Sequence, residues 1–171
     1  MPPPDAAPAS GAPLAYIALG ANLDQPCARV KAAIAALDEL PQTCLLRASS
    51  LYRTAPVGLL PQPDFINAVA QVATRLSPQA LLLALRAQEA AQGRTRGIPN
   101  APRTLDLDLL LHADVTMRTP ALILPHPRLH LRAFVLVPLY EIAPDLRIPG
   151  RGALAAWLPA VYTQMPGVSR I

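Results

Sequence analysis

The chain has 171 residues, enough for one domain with a substantial apolar core and no need of a second. Hydrophobic residues make up 52% of it and mean hydropathy is +0.29, yet Arg, Asp, Pro or Gln breaks every apolar run before it reaches bilayer length, which excludes a membrane-spanning helix. A formal charge of +4 rests on arginine, with Lys31 the sole lysine, so an anionic partner is expected; at 4% aromatic content few platforms exist for stacking bases, and a nucleotide is a more economical partner than a nucleic acid.

Met1 to Pro13 is rich in Pro and Ala and lacks a charged start and an apolar h-region, so it reads as a disordered leader, with residues 14–171 as a single domain. Tyr16 to Gly20 reads as a buried strand, and Gly20-Ala21-Asn22 begins a loop. Pro26 starts a helix in which Val30, Ala33, Ile34 and Leu37 recur at helical spacing up to Leu40, before Pro41 forbids extension. Cys27 and Cys44 are too few for a disulfide framework or a zinc site, so the expected compartment is the reducing cytoplasm. A monomer is the default state, because no heptad or exposed apolar stripe argues for assembly.

Thr43 to Arg53 is strand-like. A proline-dense loop over Thr54 to Asp64 follows, and Phe65 to Val72 resumes as a strand. Ser77-Pro78 caps a second helix, whose face of Leu81, Leu82, Leu85, Gln88 and Glu89 runs to Gly93. The loop from Gly93 to Arg103 then carries Arg94, Arg96 and Arg103 into the stretch Pro102-Arg103-Thr104-Leu105-Asp106-Leu107-Asp108-Leu109-Leu110-Leu111. Leu124-Pro125-His126-Pro127-Arg128 is a rigid turn, and Ala133 to Tyr140 is an apolar helix or short strand leading into a Pro-rich tail. The order strand, helix, strand, strand, helix, strand predicts an α+β, ferredoxin-like antiparallel sheet with helices on one face and the other face open for ligands.

The alternation over the acidic stretch puts Asp106 and Asp108 on one side of a strand, with backbones roughly 6.5 to 7 Å apart. Two carboxylates so placed converge on hard cations, with Mg²⁺ and a phosphate substrate as the first choice. An ordinary half-buried strand with a solvated acidic face is the plainer alternative, but Asp is depleted in strands and two like charges repel unless a cation or an arginine lies between them. Two aspartates alone also suit a nuclease or a polymerase. The neighbouring arginines favour phosphoryl transfer, in which cations converging on a polyphosphate supply much of the catalysis, although a loop can also hold arginines for solubility.

Between two prolines, His126 is either a neutral donor to phosphate or a capping residue. The amide of Asn67 suits either a planar amide-like heterocycle or backbone partners, and Phe65 and Phe134 either clamp a flat ring or pack in the core.

Together and in this order, these residues resemble the 6-hydroxymethyl-7,8-dihydropterin pyrophosphokinase family of folate biosynthesis. The likeness runs through Tyr16 to Leu23, Tyr52-Arg53-Thr54, Pro56, Asp64 to Ala68, Glu89 with Gly93-Arg94, Pro102 to Asp108, and Leu124 to Arg128. It implies transfer of diphosphate from ATP to the pterin hydroxymethyl group, with two Mg²⁺ ions on Asp106 and Asp108 and with Arg94 and Arg103 stabilising the migrating group. It further implies ATP contacts from Glu89, His126 and Arg132, and a pterin pocket of Thr54, Val57, Phe65, Asn67 and Phe134. The chain departs from the family pattern at Phe65, where tyrosine is frequent, near Asn100, where tryptophan is, and near Ala121, where arginine is; no departure removes a metal ligand, so activity is expected. The competing class is a non-catalytic nucleotide- or RNA-binding module on the same scaffold, because this topology hosts unrelated functions.

Overall fold

In the computed structural model, residues 11–56, 58, 61–94 and 102–171 are described. The chain runs β1 (Leu14–Ala21), α1 (Pro26–Leu37), β2 (Thr43–Ala48), β3 (Tyr52–Thr54), β4 (Phe65–Thr74), α2 (Pro78–Ala91) and β5 (Asp106–His112). The short strands β6 (Met117–Arg118) and β7 (Ile123–Leu124) lead to α3 (Ala133–Ile142). After it come β8 (Arg147–Ile148), β9 (Gly152–Ala153), a 3₁₀ stretch over Leu154–Gly167, and β10 (Val168–Arg170). The main sheet has the order β10-β3-β4-β1-β5, with β2 pairing along β4 on the same side as β3, and every pairing in it is antiparallel. The expected ferredoxin-like arrangement is therefore present at its centre.

Local chemistry sets the element ends. Ser77 Oγ accepts the Ala80 N–H at 3.1 Å and Pro78 occupies the first helical position, as the sequence predicts for α2. Helix α1 stops at Leu37 rather than at the expected Leu40, because Asp38, Glu39 and Leu40 donate to carbonyls three residues back and tighten the chain into a turn. The strand expected from Thr43 to Arg53 divides at Ser49, whose N–H donates to the Val69 carbonyl at 2.8 Å while its Oγ accepts the Val69 N–H at 2.9 Å.

The period of two divides the sheet into two faces. Ala15, Ile17 and Leu19 of β1, Ile66, Ala68, Ala70 and Val72 of β4, and Leu107 and Leu109 of β5 pack against Val30, Ala33 and Leu37 of α1 and Leu81 and Leu85 of α2. On the opposite face the sheet is not open throughout. Tyr16, Val69, Leu110 and Leu111 form a second core with Leu136 and Leu139 of α3 and with Leu154 and Val161 of the 3₁₀ stretch. The stretch read as a Pro-rich tail thus supplies a cover, and β10 extends the sheet beyond β3. Among the described residues no helix is long and apolar enough to cross a membrane.

The uncovered end of this face is floored by small residues. Gly20 pairs with Asn67 on one side and Asp106 on the other, and Ala18 pairs with Val69 and Asp108. A Cβ at Gly20 would lie 2.9 Å from Oδ1 of Asn67, whose Nδ2 is held by Thr54 Oγ1 at 2.7 Å. The Gly20→Ala variant should therefore push the Asn67 amide off Thr54 and lower stability by about 1 to 3 kcal/mol in urea unfolding, as overpacking does. Wild-type stability with the Asn67–Thr54 bond intact would contradict this view of Gly20.

Candidate active site

The floor opens into a cavity of about 580 Å³. Thr54, Phe65 and Asn67 line it from β3 and β4, Asp106 and Asp108 from β5, Arg103 from the loop before β5, and Arg128, Arg132 and Phe134 from the far wall. Strand pairing brings the first group together, since Thr54 sits opposite Phe65, and Asn67, Gly20 and Asp106 form one cross-strand row. The far wall arrives with α3, which lies against β4 on the same face.

The two aspartates differ in their charge compensation. One oxygen of Asp106 accepts from Arg94 Nη1 at 2.5 Å, and its other oxygen accepts from Arg103. Arg94 also donates to Glu89, whose Oε1 accepts the Leu107 N–H at 2.7 Å, so a buried carboxylate on α2 fixes both the arginine and the strand that carries the acids. Burial pushes the Glu89 carboxyl up, while the Leu107 N–H and Arg94 pull it down. Burial would lower Arg94, but Asp106 and Glu89 outweigh it and hold the guanidinium above its ordinary value.

The Asp108 side chain has no hydrogen bond or ion pair among the described residues. Its carboxyl is pushed up to about 6, first by burial and then by the charges of Asp106 and Glu89, with Arg132 and Arg103 acting in the opposite sense. A half-buried carboxylate in this state fits a cation. The pair offers two protein carboxylates, hard oxygen donors of the kind that Mg²⁺ takes.

Asn22 anchors Arg103. Its Oδ1 accepts the Arg103 N–H at 2.8 Å, its own N–H donates to the Arg103 carbonyl at 3.0 Å, and its Nδ2 reaches Gln62 Oε1 at 2.9 Å and the Pro63 carbonyl at 3.0 Å. One asparagine thus joins three loops around the site. On the opposite wall the Arg132 guanidinium lies 5.5 Å from the centroid of the Phe134 ring. His126 Nδ1 accepts the Arg128 N–H at 3.1 Å, leaving Nε2 to carry the proton of the neutral ring. Burial, with Arg132 and Arg128 adding to it, lowers His126 to about 4.

Of the side chains expected from sequence, Thr54, Phe65, Asn67, Arg103, Asp106, Asp108, Arg132 and Phe134 meet around the cavity. Glu89 and Arg94 stand behind Asp106, and His126 sits beside Arg128 and Arg132. Val57, Arg96 and Asn100 lie outside the described residues. Gly20, Asn22, Arg128 and Gln164 have places in the site that residue type alone does not signal; the first two read only as turn formers and Gln164 lies in the supposed tail.

An antiparallel α+β sheet whose uncovered end sets two acidic side chains among guanidinium groups defines a phosphotransferase-type site. The profile of the family described as 7,8-dihydro-6-hydroxymethylpterin-pyrophosphokinase (HPPK) matches residues 16–144. The chain is 48% identical over 134 residues to the 2-amino-4-hydroxy-6-hydroxymethyldihydropteridine pyrophosphokinase of Pseudomonas aeruginosa, covering 78% of this chain and 83% of the relative. It is 47% identical over 135 residues to the enzyme of the same description from Haemophilus influenzae, covering 79% and 84%. A crystal structure of a triple mutant of Plasmodium falciparum HPPK-DHPS with pteroate superposes with a TM-score of 0.73 at 14% identity, covering 94% of this chain and 47% of that longer one. That structural likeness shows the fold. The chain belongs to the HPPK family.

The depressed His126 has a stability consequence. Above pH 6.5 the ring is neutral whether folded or unfolded, and its full contribution is present; as pH falls from 6.5 toward 4 the unfolded chain takes a proton that the folded site refuses, and stability is lost. His126→Gln should remove on the order of 2 kcal/mol of that loss, read as a shallower fall in urea-unfolding stability between pH 6.5 and 4. Parallel curves for the two proteins would refute it.

Proposed function

We propose that the cavity transfers diphosphate from ATP to the hydroxymethyl group of 6-hydroxymethyl-7,8-dihydropterin, releasing AMP, and that the residues around it divide the work as follows. Asn67, with Nδ2 committed to Thr54, presents Oδ1 to the pterin edge, while Phe65 and Phe134 hold the flat ring. Arg132, with His126 as a neutral donor and Glu89 acting through Arg94, binds the nucleotide phosphates. Arg103 faces the transferred group from the cavity wall, and Arg94 adds its charge from behind Asp106.

The step is an in-line displacement: the pterin hydroxyl oxygen forms a bond to the β-phosphorus as the bond from that phosphorus to the α,β-bridging oxygen breaks, AMP leaves, and the hydroxyl proton passes to solvent water. When bound to Asp106 and Asp108, two Mg²⁺ ions supply charge neutralisation on the phosphate oxygens. The protein's part is positioning, with guanidinium groups aimed at charge that shifts from the transferred group to AMP. The observation that carries this reading is the juxtaposition of Asp106 and Asp108 with Asn67 and both phenylalanines in one cavity. In this reading the protein works as a monomer in the cytoplasm, and the unpaired thiols of Cys27 and Cys44 are in keeping with that reducing compartment.

Incubation with ATP, Mg²⁺ and the pterin should yield AMP in amounts matching the pterin diphosphate. A wild-type protein that binds nucleotide but forms no AMP would return the chain to the binding-module class. Asp108→Ala should lower turnover at least about 100-fold, the scale on which removal of transition-state charge stabilisation acts, with the melting temperature unchanged or raised because a buried, uncompensated carboxylate is gone. Replacing Asp106 and Asp108 together by Asn should abolish the Mg²⁺ dependence of ATP binding in calorimetry, and an unaltered dependence would exclude these residues as the ligands.

A further inference from the structure

The family profile ends at residue 144, yet the chain beyond it returns to the cavity, where Gln164, Gly167 and Val168 form part of the wall. Gln164 Oε1 accepts the Ala133 N–H at 3.1 Å, and its Nε2 donates to the Leu131 carbonyl at 3.0 Å. The two bonds bracket Arg132. Ala133 opens α3, and Arg132 before it makes no side-chain cap, so the Gln164 amide satisfies a helix N–H that the local sequence leaves unpaired. Gln164 is itself steadied by the chain that follows, since Val168 pairs with Thr54 and Arg170 with Tyr52 in the sheet.

We infer that Gln164 is a positioning residue: by fixing the backbone on both sides of Arg132 it holds the Arg132 guanidinium and the Phe134 ring in their cavity-facing arrangement. This rests on the pyrophosphokinase reading for its effect on substrates, though not for the hydrogen bonds themselves. Gln164 touches neither Asp106 nor Asp108 through any bond found among the described residues, so its loss acts on capture of ATP and pterin and spares the chemical step. The side chain is exposed, so removing it opens no cavity in either core. Its effect is therefore separable from global stability.

The test compares wild type with Gln164→Ala and with Gln164→Met, which keeps the length of the side chain and removes both hydrogen bonds. Five quantities are read in the full-length protein: amide exchange in the first turn of α3, KM and kcat for ATP and the pterin, ATP affinity by calorimetry, and the melting temperature. Both variants should exchange about tenfold faster at the Ala133 amide, raise KM for both substrates about three- to tenfold, keep kcat within about twofold, and melt within about 4 °C of wild type. Wild-type exchange in the variants, wild-type KM in Gln164→Met, or a fall in kcat at constant KM would each overturn the inference. Should wild type bind ATP and form no AMP, the transfer reading fails, and exchange together with the ratio of ATP affinities decides the role of Gln164. A wild type that neither binds ATP nor forms AMP would sink both.

Discussion

Two carboxylates on one pleat of β5 repel each other, by roughly 2.5 kcal/mol at the spacing of alternate strand residues in a partly screened site, and the surrounding chain is arranged so that this repulsion is met unequally. Asp106 is clasped by Arg94 and Arg103, and Arg94 is in turn held by Glu89, which also binds the strand between the two acids through the Leu107 N–H. Asp108 is left half-buried without such a partner, and its carboxyl rises to about 6. Breaking any one bond in the Glu89–Arg94–Asp106–Arg103 chain would leave a buried charge exposed to its neighbours, which is why such networks fail as units rather than in parts.

Holding those charges in place is a task shared by distant parts of the chain. Asn22 ties Arg103 to the turn after β1 and to Pro63 in the proline-dense loop. On the far wall, α3 is fixed at its C-terminal end by Glu141, which accepts the Ser50 N–H at 3.1 Å and the Tyr52 hydroxyl at 2.6 Å, and at its N-terminal end by Gln164. Burial and the Glu141 carboxylate push the Tyr52 hydroxyl up to about 12, so that contact keeps its proton through any physiological pH. The helix that presents Phe134 is therefore clamped at both ends by residues from elements that do not precede or follow it directly.

Much of this arrangement is legible in the chain because it obeys local rules. The strand alternation in Leu105-Asp106-Leu107-Asp108-Leu109, the Ser77-Pro78 cap and the helical spacing of Leu81 and Leu85 each reflect a period or a cap chemistry contained in a few neighbouring residues. The rest depends on pairings remote in sequence. Nothing local distinguishes Gly20 as the floor of a cavity until Asn67 is placed beside it, and the apolar, proline-broken stretch after Ile142 has no period that marks it as the cover of the second face. Strand addition by Val168–Arg170 is likewise invisible in three residues whose pairing partner lies at Thr54.

The arginines around the cavity fall into two kinds, and the difference bears on how a polyanion is received. Arg94 and Arg103 are engaged with Asp106, so a polyphosphate meeting them exchanges one carboxylate partner for another anion and adds little new desolvation. Arg128 and Arg132 make no salt bridge among the described residues; burial lowers Arg132, the Asp108 charge opposes that, and Arg128 beside it acts with burial. That wall therefore carries positive charge that no salt bridge engages among the described residues. The paired arginines are held in fixed orientation by Asp106, which is the preorganisation that the proposed transfer asks of them.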